Sequence, residues 1–202
     1  LVAFLVIPEL IMRALFQRGK FTSGDTVAAA QTLAAYATGL IPFVLIRSMT
    51  APFYARGDTA TPVKASLTAV AINVCFKILL MGPLAQVGLA VATAIGAWVN
   101  LGLILWFAAR AGILGLDARV KRSIVMLGVS GMIMAIGLYL VARPVGMLTA
   151  HLPAFRDESA LIALAAIGAM LYGVLILVLL GRHWLRGFLA DIRPSGIVAK
   201  GD

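Results

Sequence analysis

Residues 87–109 read Val-Gly-Leu-Ala-Val-Ala-Thr-Ala-Ile-Gly-Ala-Trp-Val-Asn-Leu-Gly-Leu-Ile-Leu-Trp-Phe-Ala-Ala, with no charged side chain between Gln86 and Arg110. An α-helix rises about 1.5 Å per residue and the hydrocarbon core of a bilayer is about 30 Å thick, so about 20 apolar residues make one crossing. This stretch is long enough. Working outward from it, residues 1–16, 27–46, 63–81, 124–141 and 160–180 also qualify or nearly do. Gly and Pro inside several of these runs are tolerated because neighbouring helices re-satisfy the backbone, and Pro8 and Pro42 are candidate kinks. An open sheet would leave unpaired edges in lipid, and a barrel would show short alternating segments where these runs are continuous. The pattern predicts an all-α, polytopic transmembrane helical bundle of about six spans. It covers residues 1–181, followed by a C-terminal tail over residues 182–202.

Composition agrees. The chain of 202 residues is 62% hydrophobic, with a mean hydropathy of +1.03 and only 12% charged residues. Soluble domains carry about 25% charged residues, and a single soluble core could not hide so much apolar surface. The net charge of +9 does not point to nucleic acid, because the basic residues sit between apolar runs rather than among aromatics on a polar face. Loops held at an anionic membrane surface show this distribution. The single Cys75 lies inside an apolar run and offers neither a disulfide framework nor a metal-ligand cluster.

Residue 1 is not Met and already belongs to a hydrophobic run with no cleavage signal behind it, so the chain is read as a piece whose N-terminal partner is missing. Ser23 or Asp25 can cap the second helix, Pro62 stands near the start of the third, and Gly82 with Pro83 stops it before a tight turn to Gln86. One side of the bundle then holds Arg18, Lys20, Arg143 and Arg156. The other holds Arg56, Lys64, Arg110, Arg119, Lys121, Arg122, Arg182, Arg186, Arg193 and Lys200. The richer side is expected to be cytoplasmic, and it includes the C-terminus.

A charge at the bilayer centre costs about 2.5–3.5 kcal/mol on insertion scales, so each one needs a reason. Glu9 and Arg13 are four apart on one helix face, in the favourable order for an ion pair. Either the pair lets a polar face pack inside the bundle, or Glu9 is a protonatable or cation-binding group. Arg47 falls just past the inner end of the second window, where snorkelling accounts for it. Asn73 and Lys77 share a face of the third helix, and Thr93 falls at a similar depth on the fourth. These three form a candidate polar cluster in which the Lys77 ammonium stands where a monovalent cation could bind. Snorkelling by Lys77 is the bland alternative. His151 and His183 lack partners at ligand spacing, and no catalytic triad, phosphate loop or paired carboxylates appear. Trp98, Trp106 and Trp184 read as packing and interfacial anchors. No catalytic residue, metal site or cofactor is expected.

The segment Phe16-Gln17-Arg18-Gly19-Lys20-Phe21-Thr22 resembles the loop before the tenth helix of the MurJ (MviN) family, and Ala35-Tyr36-Ala37-Thr38-Gly39-Leu40 continues the likeness. The run Ala51-Pro52-Phe53-Tyr54-Ala55-Arg56-Gly57-Asp58-Thr59-Ala60-Thr61-Pro62-Val63-Lys64 resembles that family's signature loop, carried here by Tyr54, Arg56, Asp58, Thr61 and Pro62. Gly88-Leu89-Ala90 and Trp98-Val99-Asn100 resemble its twelfth helix. The family comprises the bacterial lipid II flippases of the multidrug/oligosaccharidyl-lipid/polysaccharide exporter superfamily.

The resemblance implies the C-terminal part of a fourteen-helix transporter, helices nine to fourteen, in the bacterial inner membrane with a cytoplasmic C-terminus. It implies as partners the lipid-linked peptidoglycan precursor, membrane lipids and the missing N-terminal half of the same protein, with no nucleic acid. The activity implied is translocation of the undecaprenyl-pyrophosphate-linked precursor from the inner to the outer leaflet by alternating access. The family's essential cavity arginines and acids lie in its first, second and eighth helices, so none maps onto this chain. Its last two helices form a groove for the lipid tail, here residues 124–141 and 160–180. Relatives often carry Asn or an acid where this chain has Lys77. Another lipid-linked oligosaccharide or drug exporter of the superfamily, or a non-transporting scaffold for cell-wall synthesis, is the alternative.

Overall fold

Proline, glycine and short polar side chains cut the apolar runs into helices. In this computed structural model residues 1–113, 115, 118–151 and 155–192 are described, the backbone alone for residues 118, 119, 176 and 179–192. The helices are α1 (Val2–Val6), α2 (Pro8–Phe16), α3 (Ser23–Thr38), α4 (Leu40–Ala55), α5 (Ala60–Arg110), α6 (Ala118–Thr149) and α7 (Arg156–Ile192). Among the described residues every regular element is helical.

The run at residues 1–16 breaks at Ile7, because a residue before proline is pushed out of the helical region and Pro8 suits the first position of the next helix. A capping box starts α3. The Asp25 N–H donates to Thr22 Oγ1 at 3.3 Å, and the Thr22 N–H donates to Asp25 Oδ2 at 2.9 Å. The cap is therefore Thr22, with Asp25 as its reciprocal partner, rather than Ser23 or Asp25 acting alone.

Gly39 separates α3 from α4. Pro42, one turn into α4, has no N–H to give the Thr38 carbonyl. That carbonyl instead accepts from the Trp98 indole N–H at 3.1 Å, so a side chain of α5 closes the gap left by the proline. Gly39 lies against the Ala94 backbone one turn away, close enough that a Cβ would stand 3.1 Å from Ala94 Cα.

The longest helix doubles back. Ala85 adopts φ 48° and ψ −128°, and the arms on either side run antiparallel. Gly88 packs on Leu80, Gly96 on Asn73, and Ala65 joins Ile104 and Ala108 in one cluster. Helix persists through Gly82 and Pro83, so the turn is made at Ala85 rather than at the Gly-Pro pair. A positive φ on alanine costs about 1–3 kcal/mol, which close packing of the arms must offset. The second arm buries Gly88, Ala90, Ala92, Ala94 and Gly96, the small residues that let membrane helices approach where no hydrophobic force acts between them.

One core joins α1 and α2 to α6 and α7 through Ile7, Ile11, Leu138, Val145, Ala160 and Leu164. A second joins α4 to α5 around Phe53, Ala65, Ile104 and Ala108. Between them, α3 packs on α2 and on α5. Ser23–Ala55, Ala60–Arg110, Val120–Thr149 and Arg156–Leu175 are long and apolar enough to cross a membrane, and the second of these folds back on itself. Large apolar side chains face outward throughout, Ile78 and Phe43 at 74% exposure among them, as a lipid-facing surface requires. At the C-terminal end α7 continues to Ile192, so the predicted tail begins as helix. Residues 193–202, with Arg193 and Lys200, lie outside the described residues.

Candidate functional site

The signature loop is an elbow between α4 and α5. Gly57 takes φ 73°, the Asp58 N–H donates to the Phe53 carbonyl at 3.0 Å, and the Gly57 N–H donates to the Tyr54 carbonyl at 3.0 Å. These two bonds make a Schellman stop. Asp58 then starts α5, its Oδ1 accepting the Thr61 N–H at 3.0 Å. That hydrogen bonding holds the Asp58 carboxyl below the ordinary aspartate range, with Lys64 adding a smaller attraction. Pro62 is buried in the first turn, where no N–H is missed, and Phe53 is a buried plug beneath the turn. Of the five signature residues, Asp58, Thr61 and Pro62 build the elbow. Tyr54 and Arg56 are exposed on it.

Above the elbow, a cleft of about 420 Å³ opens between α4 and the α5 hairpin, lined by Phe43, Ile46, Arg47, Ser66, Ala69, Val70, Asn73, Gly96, Ala97 and Asn100. The predicted second window ended before Arg47, but α4 runs on to Ala55 and so carries Arg47 into this cleft instead of leaving it at a helix end. The helix continues because Pro52 sits where only the Ser48 carbonyl loses its partner. Asn73 packs against Gly96, where a Cβ would stand 2.9 Å from both its Cβ and its Nδ2. Asn100 Oδ1 is buried with no hydrogen-bond partner, a cost of about 1–3 kcal/mol that a donor in the cleft would remove.

Lys77 is half-buried one turn from Asn73, and antiparallel pairing of the arms brings it level with residues 92–93. Thr93 spends its hydroxyl proton on the Leu89 carbonyl at 2.8 Å. Among the described residues no hydrogen bond joins Asn73, Lys77 and Thr93, and Asn73 has Arg47, Ser66 and Asn100 as its polar neighbours in the cleft. Ser66 was not singled out from sequence, and Asn100 only as part of the stretch that resembles the family's twelfth helix, not as a site residue. Their signal was register, since each falls on the face that meets the opposite arm.

Glu9 and Arg13 pair at 3.1 Å, and Arg13 also stands 3.8 Å from Asp157 in the first turn of α7. Beside them Arg18 binds Glu158. The intrahelical pair thus extends into a charged seam that fastens α2 to α7 at one end of the bundle. Asp157 and Glu158 also escaped the sequence reading, though two acids opening an apolar run mark a helix start. At the opposite end, Arg110 stacks over the Trp106 ring at 4.5 Å, a cation–π pair at the end of α5.

Fold, exposed apolar surface and interior polar clefts together define a multi-pass α-helical membrane protein. The family model described as "Lipid II flippase MurJ" matches residues 2–155, and the chain belongs to that family. A "Probable lipid II flippase MurJ" of Rickettsia prowazekii (strain Madrid E) is 38% identical over 117 residues, 58% of this chain and 23% of the relative. One of Rhizobium meliloti (strain 1021) is 39% identical over 137 residues, 68% of this chain and 26% of the relative. The chain therefore spans about a quarter of the length of these relatives. A solved structure, "Lipid II flippase MurJ, inward closed conformation", superimposes with a TM-score of 0.71 over 93% of this chain and 36% of that one, at 20% identity, and shares its fold.

Proposed function

We propose that this chain is the C-terminal part of a lipid II flippase, with six spans corresponding to the last six helices and a cytoplasmic C-terminus. In this reading the whole protein moves the undecaprenyl-pyrophosphate-linked peptidoglycan precursor from the inner to the outer leaflet by alternating access and performs no covalent chemistry. The observation that carries the reading is the family match over residues 2–155. The named relatives at 38% and 39% identity support it.

The task suits the architecture. A pyrophosphate-linked sugar headgroup cannot enter hydrocarbon, so polar clefts must replace its water while the prenyl chain stays in lipid. Rocking of packed helical bodies then exposes the headgroup site to either side. We assign the coupling role to Asn73, Lys77 and Thr93 on the two arms of α5. In that role the Lys77 ammonium serves as a tethered cation where an ion could otherwise bind.

The test is complementation in cells depleted of their own lipid II flippase, using the full-length parent of this chain. Rescue with lipid II reaching the outer leaflet is the expected result. A well-expressed parent that fails to rescue overturns the substrate assignment. In the same assay Lys77→Met is expected to cut rescue at least tenfold, and normal growth of that variant removes Lys77 from the mechanism.

A further inference from the structure

Two cavities follow one another along a seam, the first where α1 meets α6 and the second where α2, α6 and α7 converge. The first, about 450 Å³, is mainly apolar at its walls, with Leu5 and Val6 on one side and Ile136, Tyr139 and Leu140 on the other. The second, about 250 Å³, begins close by on both sides, at Ile7 directly after Val6 and at Ala142 just past Val141. Its floor is apolar, but its lining brings together Arg13, Arg143 and Arg156 with Asp157 as the one carboxylate.

The charges there do not balance. Arg13 is shared between Glu9 at 3.1 Å and Asp157 at 3.8 Å. Arg143 and Arg156 have no carboxylate within salt-bridge distance among the described residues. Thr149 gives its hydroxyl proton to the Val145 carbonyl at 3.0 Å, and among the described residues no hydrogen bond joins it to either arginine. Two unpaired guanidiniums over an apolar floor favour an oxyanion with several acceptors, a geometry that suits phosphate. At about 250 Å³ the cavity falls below the roughly 300–1,000 Å³ of pockets that enclose a whole small ligand, and so fits a head group rather than a complete molecule. Beside the lining residues Gly146 and Thr149, Met147 is 71% and Leu148 75% exposed.

We propose that this seam is a lipid-phosphate site: the hydrocarbon chain lies in the α1–α6 groove and the phosphate sits between Arg143 and Arg156. It is separate from the α6–α7 groove that the family resemblance implies, and it stands whichever substrate the whole protein moves. The chemistry is shared by an anionic bilayer phospholipid and by a polyprenyl phosphate, so the experiment must carry both.

The full-length protein is purified in detergent and titrated, by native mass spectrometry, with dioleoyl phosphatidylglycerol, with undecaprenyl phosphate and with inorganic phosphate. The Arg143→Gln/Arg156→Gln variant is expected to weaken binding of at least one lipid tenfold or more, while Lys20→Gln, at the same end but outside the cavity, leaves it unchanged. Ile136→Trp, which fills the groove without touching the charges, is expected to weaken the same lipid. Arg143→Lys/Arg156→Lys should retain most of the binding. Loss confined to phosphatidylglycerol identifies a bilayer lipid, and loss for undecaprenyl phosphate identifies a substrate-class lipid. Undiminished binding of both lipids by the glutamine pair, an equal loss in the lysine pair, or inorganic phosphate binding as tightly as the lipids overturns the proposal.

Discussion

Trp98 and Pro42 act as one device, because the proline frees the Thr38 carbonyl and the indole N–H takes it at 3.1 Å. Trp98→Phe is expected to lower stability by about 0.5–1.5 kcal/mol, the net worth of one such bond. Pro42→Ala restores the backbone donor, so Trp98→Phe should cost measurably less in that background. A double-mutant cycle on the thermal unfolding of the full-length protein reads this coupling, and strict additivity would refute it. Asp58 makes a prediction about pH. Its folded pKa is depressed by the Thr61 hydrogen bonds, so its contribution is fully present above the unfolded value of about 3.9 and is lost as pH falls through the lower folded value. Asp58→Asn should therefore be less stable than the parent at pH 7, and the gap should narrow only at strongly acidic pH. A gap unchanged down to pH 2 would mean that the carboxylate charge is not what the elbow uses.

The hairpin of α5 is held by close approach rather than by bulk, and this sets what its residues tolerate. A Cβ at position 96 meets Asn73 at 2.9 Å, whereas one at Gly102 meets nothing within 4 Å. Gly96→Leu is expected to destabilise by about 1–3 kcal/mol through overpacking, and Gly102→Leu to be near neutral, as thermal melts of the full-length protein would show. Equal effects at the two positions would mean that the arms are not packed in this register. The hairpin also marks how far sequence reasoning reached. Its two apolar runs and the reversal between them were legible, because membrane thickness fixes run length and a pair of breakers needs a turn. The turning residue was not, since Ala85 is held in a glycine-like conformation by the packing of both arms, which no local signal encodes. The same holds for the cleft. Asn73 was visible as a polar residue in an apolar run, but its neighbours Arg47, Ser66 and Asn100 come from register between helices, and Arg47 was placed at an interface because the apolar window ended at Ile46 whereas α4 continues to Ala55.

At the scale of the whole molecule, the outward apolar surface and the length of the relatives point the same way. Phe43 and Ile78 are 74% exposed, and Phe43 is also on the wall of the Arg47 cleft, so one side of that cleft needs a cover which the described helices do not supply. Lipid alone is a poor cover for a guanidinium and an unpartnered amide oxygen, whose burial in hydrocarbon costs several kcal/mol. The relatives are about four times as long as the region they share with this chain, and substrate sites of such transporters lie between two helical repeats. On the proposed reading of this chain as the C-terminal part of a longer flippase, residues 1–202 alone are expected to insert into vesicles yet to translocate no lipid II, even where the full-length parent does. Co-reconstitution with the remainder of the parent as a separate chain should restore translocation, because the contacts across the cleft are non-covalent. Translocation by residues 1–202 alone would place the substrate path within these seven helices, and the Arg47 cleft would then be its first segment to mutate.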